Sequence, residues 1–168
     1  MARETRRTVQ KSLLDRLIDY EPGMAGDPQL TWADSVRELK LSVRRDLEWL
    51  LNTRCTPQEA PASCKELRRS LYRFGLPDFS ALHQGSPDTA PRLAREVEEA
   101  VALFEPRLAN ARVTLARVQE GGEQRLHFLI EAMLRLDPNP ERIVFDTVLD
   151  LSRNEFEIQT GGSVAGRD

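Results

Sequence analysis

The chain has 168 residues, of which 30% are charged and 40% hydrophobic, and its net charge is -3. This length suits one domain of ordinary size, and this composition is typical of a globular protein with a well-solvated exterior, which excludes a wholly disordered chain. The slightly negative charge gives no general attraction to nucleic acid or to an anionic membrane. No 18 apolar residues run together, so no membrane span is expected.

The N-terminal residues predict a short amphipathic helix on a tether. Leu13, Leu14 and Leu17 share one face of a helix over residues 9–19, and a helix this short must dock on something to be stable in water. The Pro and Gly residues that follow are typical of a tether. We therefore divide the chain into an N-terminal helix and tether (1–29), an α+β domain (30–160) and a flexible tail (161–168).

The same region argues against secretion. Basic residues near the N-terminus could mimic the start of a signal peptide, but Asp15, Arg16 and Asp19 interrupt the apolar stretch that would have to follow. We expect a cytoplasmic protein.

A long helix follows the tether. Thr31 with Asp34 resembles a capping arrangement, and the apolar residues after it recur at steps of three and four. These core-facing positions are Val36, Leu39, Val43, Leu47 and Leu50. The charged residues between them, which include Arg45 and Asp46, are interpreted as a solvated face.

A second, short helix is predicted over residues 66–74, ending at Gly75. Its arginines lie beside aromatic residues, a combination that can hold phosphate and base in nucleic-acid-binding proteins. The stronger interpretation packs the apolar residues inward and leaves the arginines to solvent or to a protein partner. The arginines are Arg68, Arg69 and Arg73, and the apolar residues are Leu67, Leu71, Tyr72 and Phe74. Residues 80–90 are expected to form a polar loop.

A third helix over residues 91–104 ends in the sequence FEPRL at 104–108. Pro106 removes a backbone donor and disfavours helix at Glu105, so a rigid corner is predicted where the helix gives way to a strand. Glu105 and Arg107 face each other across this corner. They form either an internal ion pair that stabilises it or a charged pair presented to a partner.

The remainder predicts four strands. Alternating apolar residues mark strands at 112–119, 125–136, 142–149 and 155–159, with a hairpin turn at 120–123. The predicted fold class is therefore α+β, with helices packed on one face of a mainly antiparallel sheet of about four strands. Such a sheet has free edges, which proteins either block or use to add a strand from a partner.

Residue types give little support for an enzyme. Glu131, Asp137, Glu141, Asp146 and Asp150 lie at strand ends and turns, without the apolar pocket that paired catalytic acids need. The histidines His83 and His127 stand in no nucleophile or HExxH motif, and Cys55 and Cys64 have no metal-ligand spacing, so we expect reduced thiols. No catalytic, cofactor or metal site is predicted.

Five segments together carry a resemblance to a known family. They are residues 12–17 (SLLDRL), 43–54 (VRRDLEWLLNTR), 70–78 (SLYRFGLPD), 104–108 (FEPRL) and 144–150 (VFDTVLD). In this order the chain resembles TssE, the small baseplate subunit of type VI secretion systems, which is similar to the wedge protein of contractile-tailed phages. The Glu-Pro-Arg motif of that family falls on Glu105, Pro106 and Arg107 without substitution.

The resemblance implies a structural subunit with no active site. Glu105, Pro106 and Arg107 would help to join the baseplate to the contractile sheath, on which sheath assembly would begin. The implied partners are baseplate subunits of the TssF, TssG and TssK type and sheath subunits of the TssB and TssC type, and the baseplate would be docked at a membrane. Leu13, Leu14 and Leu17 would anchor the subunit in the wedge. A lysozyme-like hydrolase and an Arg-rich nucleic-acid-binding domain are the weaker alternatives.

Overall fold

The computed structural model describes residues 9–19, 22–23, 26, 30–79, 89–118 and 125–160, without the side chains of 116–118 and 160. Several predicted features lie outside the described residues. They are most of the tether, most of the polar loop with His83, the hairpin turn at 120–123 and the tail at 161–168.

The described residues form helices and one antiparallel sheet, which confirms the α+β prediction. The α-helices are α1 (Leu13–Leu17), α2 (Trp32–Asn52) and α3 (Thr89–Phe104), and two short 3-10 helices span Lys65–Arg69 and Leu71–Arg73. The strands are β1 (Leu108–Val118), β2 (Arg125–Leu134), β3 (Glu141–Asp150) and β4 (Glu155–Thr160). The strand order is β1-β2-β3-β4, so β1 and β4 are the edges of the sheet.

The chain divides into two compact units, residues 1–43 and 44–168, with the boundary inside α2. In the first unit, polar contacts tie the α1 segment to the first part of α2. Ser42 Oγ donates to Asp15 Oδ2 at 2.6 Å, and Lys11 Nζ lies 2.9 Å from Glu38 Oε2. Thr31 caps α2 as predicted, because its hydroxyl accepts from the Asp34 amide at 3.2 Å.

The leucines of α1 do not pack as the amphipathic pattern suggested. The helix is five residues long, and Leu13 and Leu17 are 75% and 82% exposed, while Leu14 is 42% exposed. Polar side chains, including Asp15, provide the contacts that hold this segment. The assignment of the three leucines to a wedge anchor stays a prediction.

In the second unit, one face of the sheet forms the core. Burial alternates along β2 as predicted, since a strand turns successive side chains to opposite faces. Helix α3 packs against β1 through the apolar stripe that the sequence indicated. The buried side chains include Leu93, Val97, Val101, Leu126, Phe128, Ile130, Leu134, Phe145, Leu149, Phe156 and Ile158.

Strand β1 begins four residues earlier than predicted. The ladder starts at Leu108, which pairs with Leu134, and a bulge interrupts the register between Ala109 and Arg112. Within this bulge Asn110 adopts a positive φ of 54°. Because a bulge breaks the two-residue alternation, the sequence pattern does not extend back to Leu108, and a second irregularity lies between Leu115 and Arg117.

The helix predicted over 66–74 is wrong as a single element. Ser70 divides it, because its hydroxyl accepts from the Tyr72 amide at 3.2 Å and starts a second 3-10 turn. The inward packing predicted for Leu71 is also wrong, since this side chain is 84% exposed. Phe74 does pack, with its ring edge-on to Phe104 at 5.3 Å.

The backbone after the second 3-10 turn is hydrogen-bonded to the segment that follows α2. Leu76 donates to the Thr53 carbonyl at 2.9 Å and accepts from the Cys55 amide at 2.9 Å. Gly75 allows this approach with a φ of +106°, and its Cα faces the Thr53 carbonyl directly. The second 3-10 turn ends at Arg73, one residue before the predicted end, and Gly75 follows in a backbone conformation that favours glycine.

Candidate functional site

The corner between α3 and β1 is a tight turn. The Glu105 amide still donates to the Val101 carbonyl, in the manner of a helix, and the Leu108 amide donates to the Glu105 carbonyl at 3.1 Å. Pro106 thus occupies the second position of a four-residue turn, where its restricted φ fits. It is exposed to solvent, whereas Glu105 is 4% exposed.

Glu105 and Arg107 bind each other directly. Arg107 Nε donates to Glu105 Oε1 at 2.6 Å, and Arg107 Nη2 donates to Glu105 Oε2, so the guanidinium meets both carboxylate oxygens. The Arg107 amide also approaches Oε1 at 3.3 Å. This two-pronged geometry determines the direction of the Arg107 side chain, because both groups are planar.

A third charged residue completes the cluster from helix α2. Arg107 Nη2 donates to Asp46 Oδ2 at 2.6 Å, so Arg107 joins two acids that lie 59 positions apart in the sequence. Burial by itself lowers the pKa of the Arg107 guanidinium, but hydrogen bonds and charge attraction to Glu105 and Asp46 outweigh it and raise that pKa above the ordinary value. Arg107 therefore stays charged at any pH in which the protein is folded.

The cluster continues along α2 to the surface. Arg45 Nε and Nη2 both donate to Asp46 Oδ1, at 3.0 and 2.7 Å, so the Asp46 carboxylate binds one arginine with each oxygen. The Arg45 guanidinium also lies 5.1 Å from the ring centre of Trp49, which is 52% exposed. Arginine and tryptophan are enriched among residues that contribute strongly to protein interfaces. We call Arg45, Asp46, Trp49, Glu105 and Arg107 the corner cluster.

The two edges of the sheet differ. On β1, Glu98 of helix α3 accepts a hydrogen bond from the Val113 amide at 2.8 Å. This carboxylate occupies a backbone donor that a further strand would need, and the bulge at Asn110 distorts the same edge. Strand β1 is therefore a poor site for adding a strand.

On β4, residues at the end of α2 cover the beginning of the edge. Asn52 donates to the Phe156 carbonyl at 2.9 Å and accepts from the Phe156 amide at 2.8 Å, and Arg54 donates to the Asn154 carbonyl at 2.7 Å. Since backbone groups alternate in direction along a strand, those of Ile158 and Thr160 point the same way as those of Phe156. Within the described part of the chain, nothing covers the outward backbone groups of Ile158.

The acids considered for catalysis lie apart from the corner. Glu131 is paired with Arg142 at 2.9 Å on the exposed face, and Asp150 accepts from the Ser152 hydroxyl and amide in a turn. The Ser152 hydrogen bond is the largest cause that lowers the pKa of Asp150. Cys55 is buried and Cys64 exposed, and they are not joined.

Among the described residues, no group of three His, Cys, Asp or Glu side chains could hold a metal ion. The helices in that part of the chain are all too short or too polar to cross a bilayer.

Sequence reasoning found Glu105 and Arg107 but missed Asp46 and Asn52. The interpretation of Asp46 as part of a solvated face is wrong, because its side chain is only 23% exposed and binds two arginines. A signal was present in the spacing. Asp46 lies four residues before Leu50 in a helix, and so on the same face as this core residue. Asn52 binds Phe156, which is 104 positions away in the sequence, so no local pattern indicates this contact.

Comparisons with known proteins bear on this site. The model of the family described as Baseplate wedge protein gp25 matches residues 37–139, which include the whole corner cluster. No curated protein matches the sequence significantly. A matching solved structure belongs to a study titled "The baseplate complex from the type VI secretion system". The chain in it is 21% identical, the TM-score is 0.46, and the match covers 74% of the present chain and 97% of that chain.

Proposed function

The chain belongs to the baseplate wedge protein gp25 family, and from this premise we propose that it joins the wedge of a type VI secretion baseplate to the contractile sheath. The family match supports the baseplate role, since it extends over more than half of the chain. The type VI assignment is supported by the TssE-like segments in the sequence. In this role the protein is a structural subunit, and its first contribution to the machine is a surface on which the sheath begins to assemble.

The corner cluster supports this proposal through its rigidity. Arg107 is held by Glu105 and Asp46 from two different elements, so the exposed Pro106 and the exposed part of Trp49 occupy defined positions before any partner binds. A surface ordered in advance loses less conformational entropy when a partner docks. Charged groups in such a surface contribute partner choice more than affinity.

A variant that removes both charges of the corner tests its role in assembly. We expect Glu105→Gln/Arg107→Met to fold and to keep its wedge partners but to recover at least about tenfold less sheath on co-purification. Asp46 keeps its pairing with Arg45 and no charge of the pair is left behind, so stability should fall less than when Glu105 alone is removed. The measurement is co-purification with the TssB and TssC type sheath pair and with the TssF, TssG and TssK type subunits, beside a thermal melt.

The matched control for the corner is Arg92→Met/Glu96→Gln on helix α3, which makes the same chemical changes at other sites. It should recover as much sheath as the wild type. If the corner variant is folded and recovers sheath equally well, Glu105 and Arg107 only stabilise the turn. The proposal for the corner then fails.

The open end of β4 supports the sheath contact independently. An added strand could hydrogen-bond to the outward backbone groups of Ile158 and Thr160. The outward carbonyls of Phe156 and Asn154 are already bound by Asn52 and Arg54. Strand addition supplies affinity through the main chain, so a sheath subunit could be received in a defined register. We therefore propose that a sheath strand would add at β4 and not at β1, where Glu98 binds an outward amide.

Proline substitutions at neighbouring positions test this edge. Thr160→Pro removes an outward donor and should reduce sheath recovery about tenfold, the effect of one lost hydrogen bond to a partner, with little change in the melting temperature. Gln159→Pro removes a donor that points to β3 and should lower the melting temperature instead. If Thr160→Pro assembles sheath normally, the contact is not made through this edge.

The remaining parts of the proposal concern place and chemistry. We infer a cytoplasmic subunit associated with a membrane-docked baseplate, and no catalytic activity. The pairing of Glu131 with Arg142 and the lowered pKa of Asp150 support the absence of catalysis, because a general acid needs an apolar pocket to raise its pKa. Turnover of peptidoglycan above background in a muramidase assay would contradict it.

A further inference from the structure

The segment at residues 65–73 carries an exposed leucine among several cations. Leu71 is 84% exposed, more than any other large hydrophobic side chain described. Around it lie four cations, Lys65, Arg68, Arg69 and Arg73, and a single acid, Glu66. None of the four cations forms an ion pair with another described residue. This is a concentrated positive charge on a chain whose net charge is -3.

Single exposed leucines are common and by themselves indicate nothing. Leu71 differs because the backbone on both sides of it is tied down. The Ser70 amide donates to the Leu67 carbonyl at 3.3 Å, the Ser70 hydroxyl donates to the same carbonyl at 2.9 Å, and the Phe74 amide donates to the Leu71 carbonyl at 3.2 Å. The end of the segment is fixed by the contact of Phe74 with Phe104. Leu71 is therefore held outward instead of turning inward.

From these observations we propose that residues 65–73 dock an acidic surface of another protein subunit, with Leu71 entering an apolar pocket between its carboxylates. Lys65 and Arg68 lie on the same side of a 3-10 helix, which repeats every three residues, so they can meet one acidic surface together. The central apolar residue with charges around it matches the arrangement of protein interfaces, which have a dry centre and a polar rim. This surface shares no residue with the corner cluster.

Two other classes of partner fit the segment less well. A single-stranded nucleic acid would need exposed aromatic rings for its bases, but Phe74 is packed on Phe104 and Tyr72 is half-buried. A membrane surface would need more apolar area than one leucine provides, because stable attachment requires a second signal besides the charges. A protein surface uses both the leucine and the cations.

Binding of a defined acidic peptide to the full-length protein tests the inference. The probe is a fluorescein-labelled helical peptide with one stripe of leucines flanked by glutamates, followed by fluorescence anisotropy at low salt. We expect binding that weakens with added salt and that Arg68→Glu/Arg69→Glu weakens at least about tenfold. Leu71→Ser should weaken it about fivefold or more without changing the thermal melt, because the side chain is exposed.

The control is Arg92→Glu/Arg95→Glu, which reverses two exposed arginines on helix α3 and should change the affinity less than about twofold. Three results would overturn the inference. The first is no binding of the acidic peptide. The second is binding that ignores Leu71 and is equalled by single-stranded DNA or by vesicles of phosphatidylcholine and phosphatidylserine. The third is a dimer of the protein itself that Arg68→Glu/Arg69→Glu abolishes, since a second copy would then be the occupant.

Discussion

Replacing Gly75 by alanine is expected to lower the free energy of unfolding by about 3 kcal/mol or more. Gly75 has a φ of +106°, which alanine rarely adopts, and an added Cβ would lie 2.3 Å from the Thr53 carbonyl oxygen. That oxygen also accepts the hydrogen bond of the Leu76 amide, so it cannot move away without breaking the bridge between the two segments. A thermal melt followed by circular dichroism should show a drop of about 6–12 °C.

Gly23 offers a matched control. An added Cβ at Gly23 would meet no heavy atom within 4 Å, and its φ lies outside the region that favours glycine. Gly23→Ala should leave the melting temperature within about 2 °C of the wild type. Equal melting temperatures for Gly75→Ala and Gly23→Ala would contradict the account of the bridge at Leu76.

Removing the carboxylate of the corner alone is expected to be the other large loss of stability. Glu105→Ala deletes both oxygens that bind Arg107 and leaves a partly buried guanidinium that still binds Asp46. Breaking a buried pair by removing one member costs about 3–5 kcal/mol, and the 23% exposure of Arg107 reduces this to about 2–3 kcal/mol. Urea denaturation would measure the change directly.

Because Glu105 and Asp46 both bind the Arg107 guanidinium, the stability effects of substituting them should be coupled. Asp46→Asn and Glu105→Ala act on one group, Arg107, so their effects should not add, and a double-mutant cycle should give a coupling of about 0.5–3 kcal/mol. Glu99→Ala, at an exposed position of α3, is the control and should change stability within about 0.5 kcal/mol. A loss for Glu105→Ala no larger than that of Glu99→Ala would show that the pair contributes nothing to stability.

The corner illustrates how far local sequence information reaches. Pro106 next to an amphipathic pattern predicted the end of α3, and the structure has that end at Phe104. The pairing of Glu105 with Arg107 was one of two open alternatives, and both groups are within a few residues of each other. Asp46 was misinterpreted because the sequence of a helix does not distinguish a charged residue that is solvated from one that binds a distant arginine.

The sequence by itself determined the order of the elements, the apolar faces of α2 and α3 and the alternation of β2, because periodicity along the chain depends only on local geometry. Only the tertiary structure decided which partners the polar groups found. Asn52 binds Phe156 and Asp46 binds Arg107 because the fold brings them together, and no spacing in the chain encodes those distances. The outward position of Leu71 was decided in the same way, since the two 3-10 turns around Ser70 direct it to solvent against its hydrophobicity.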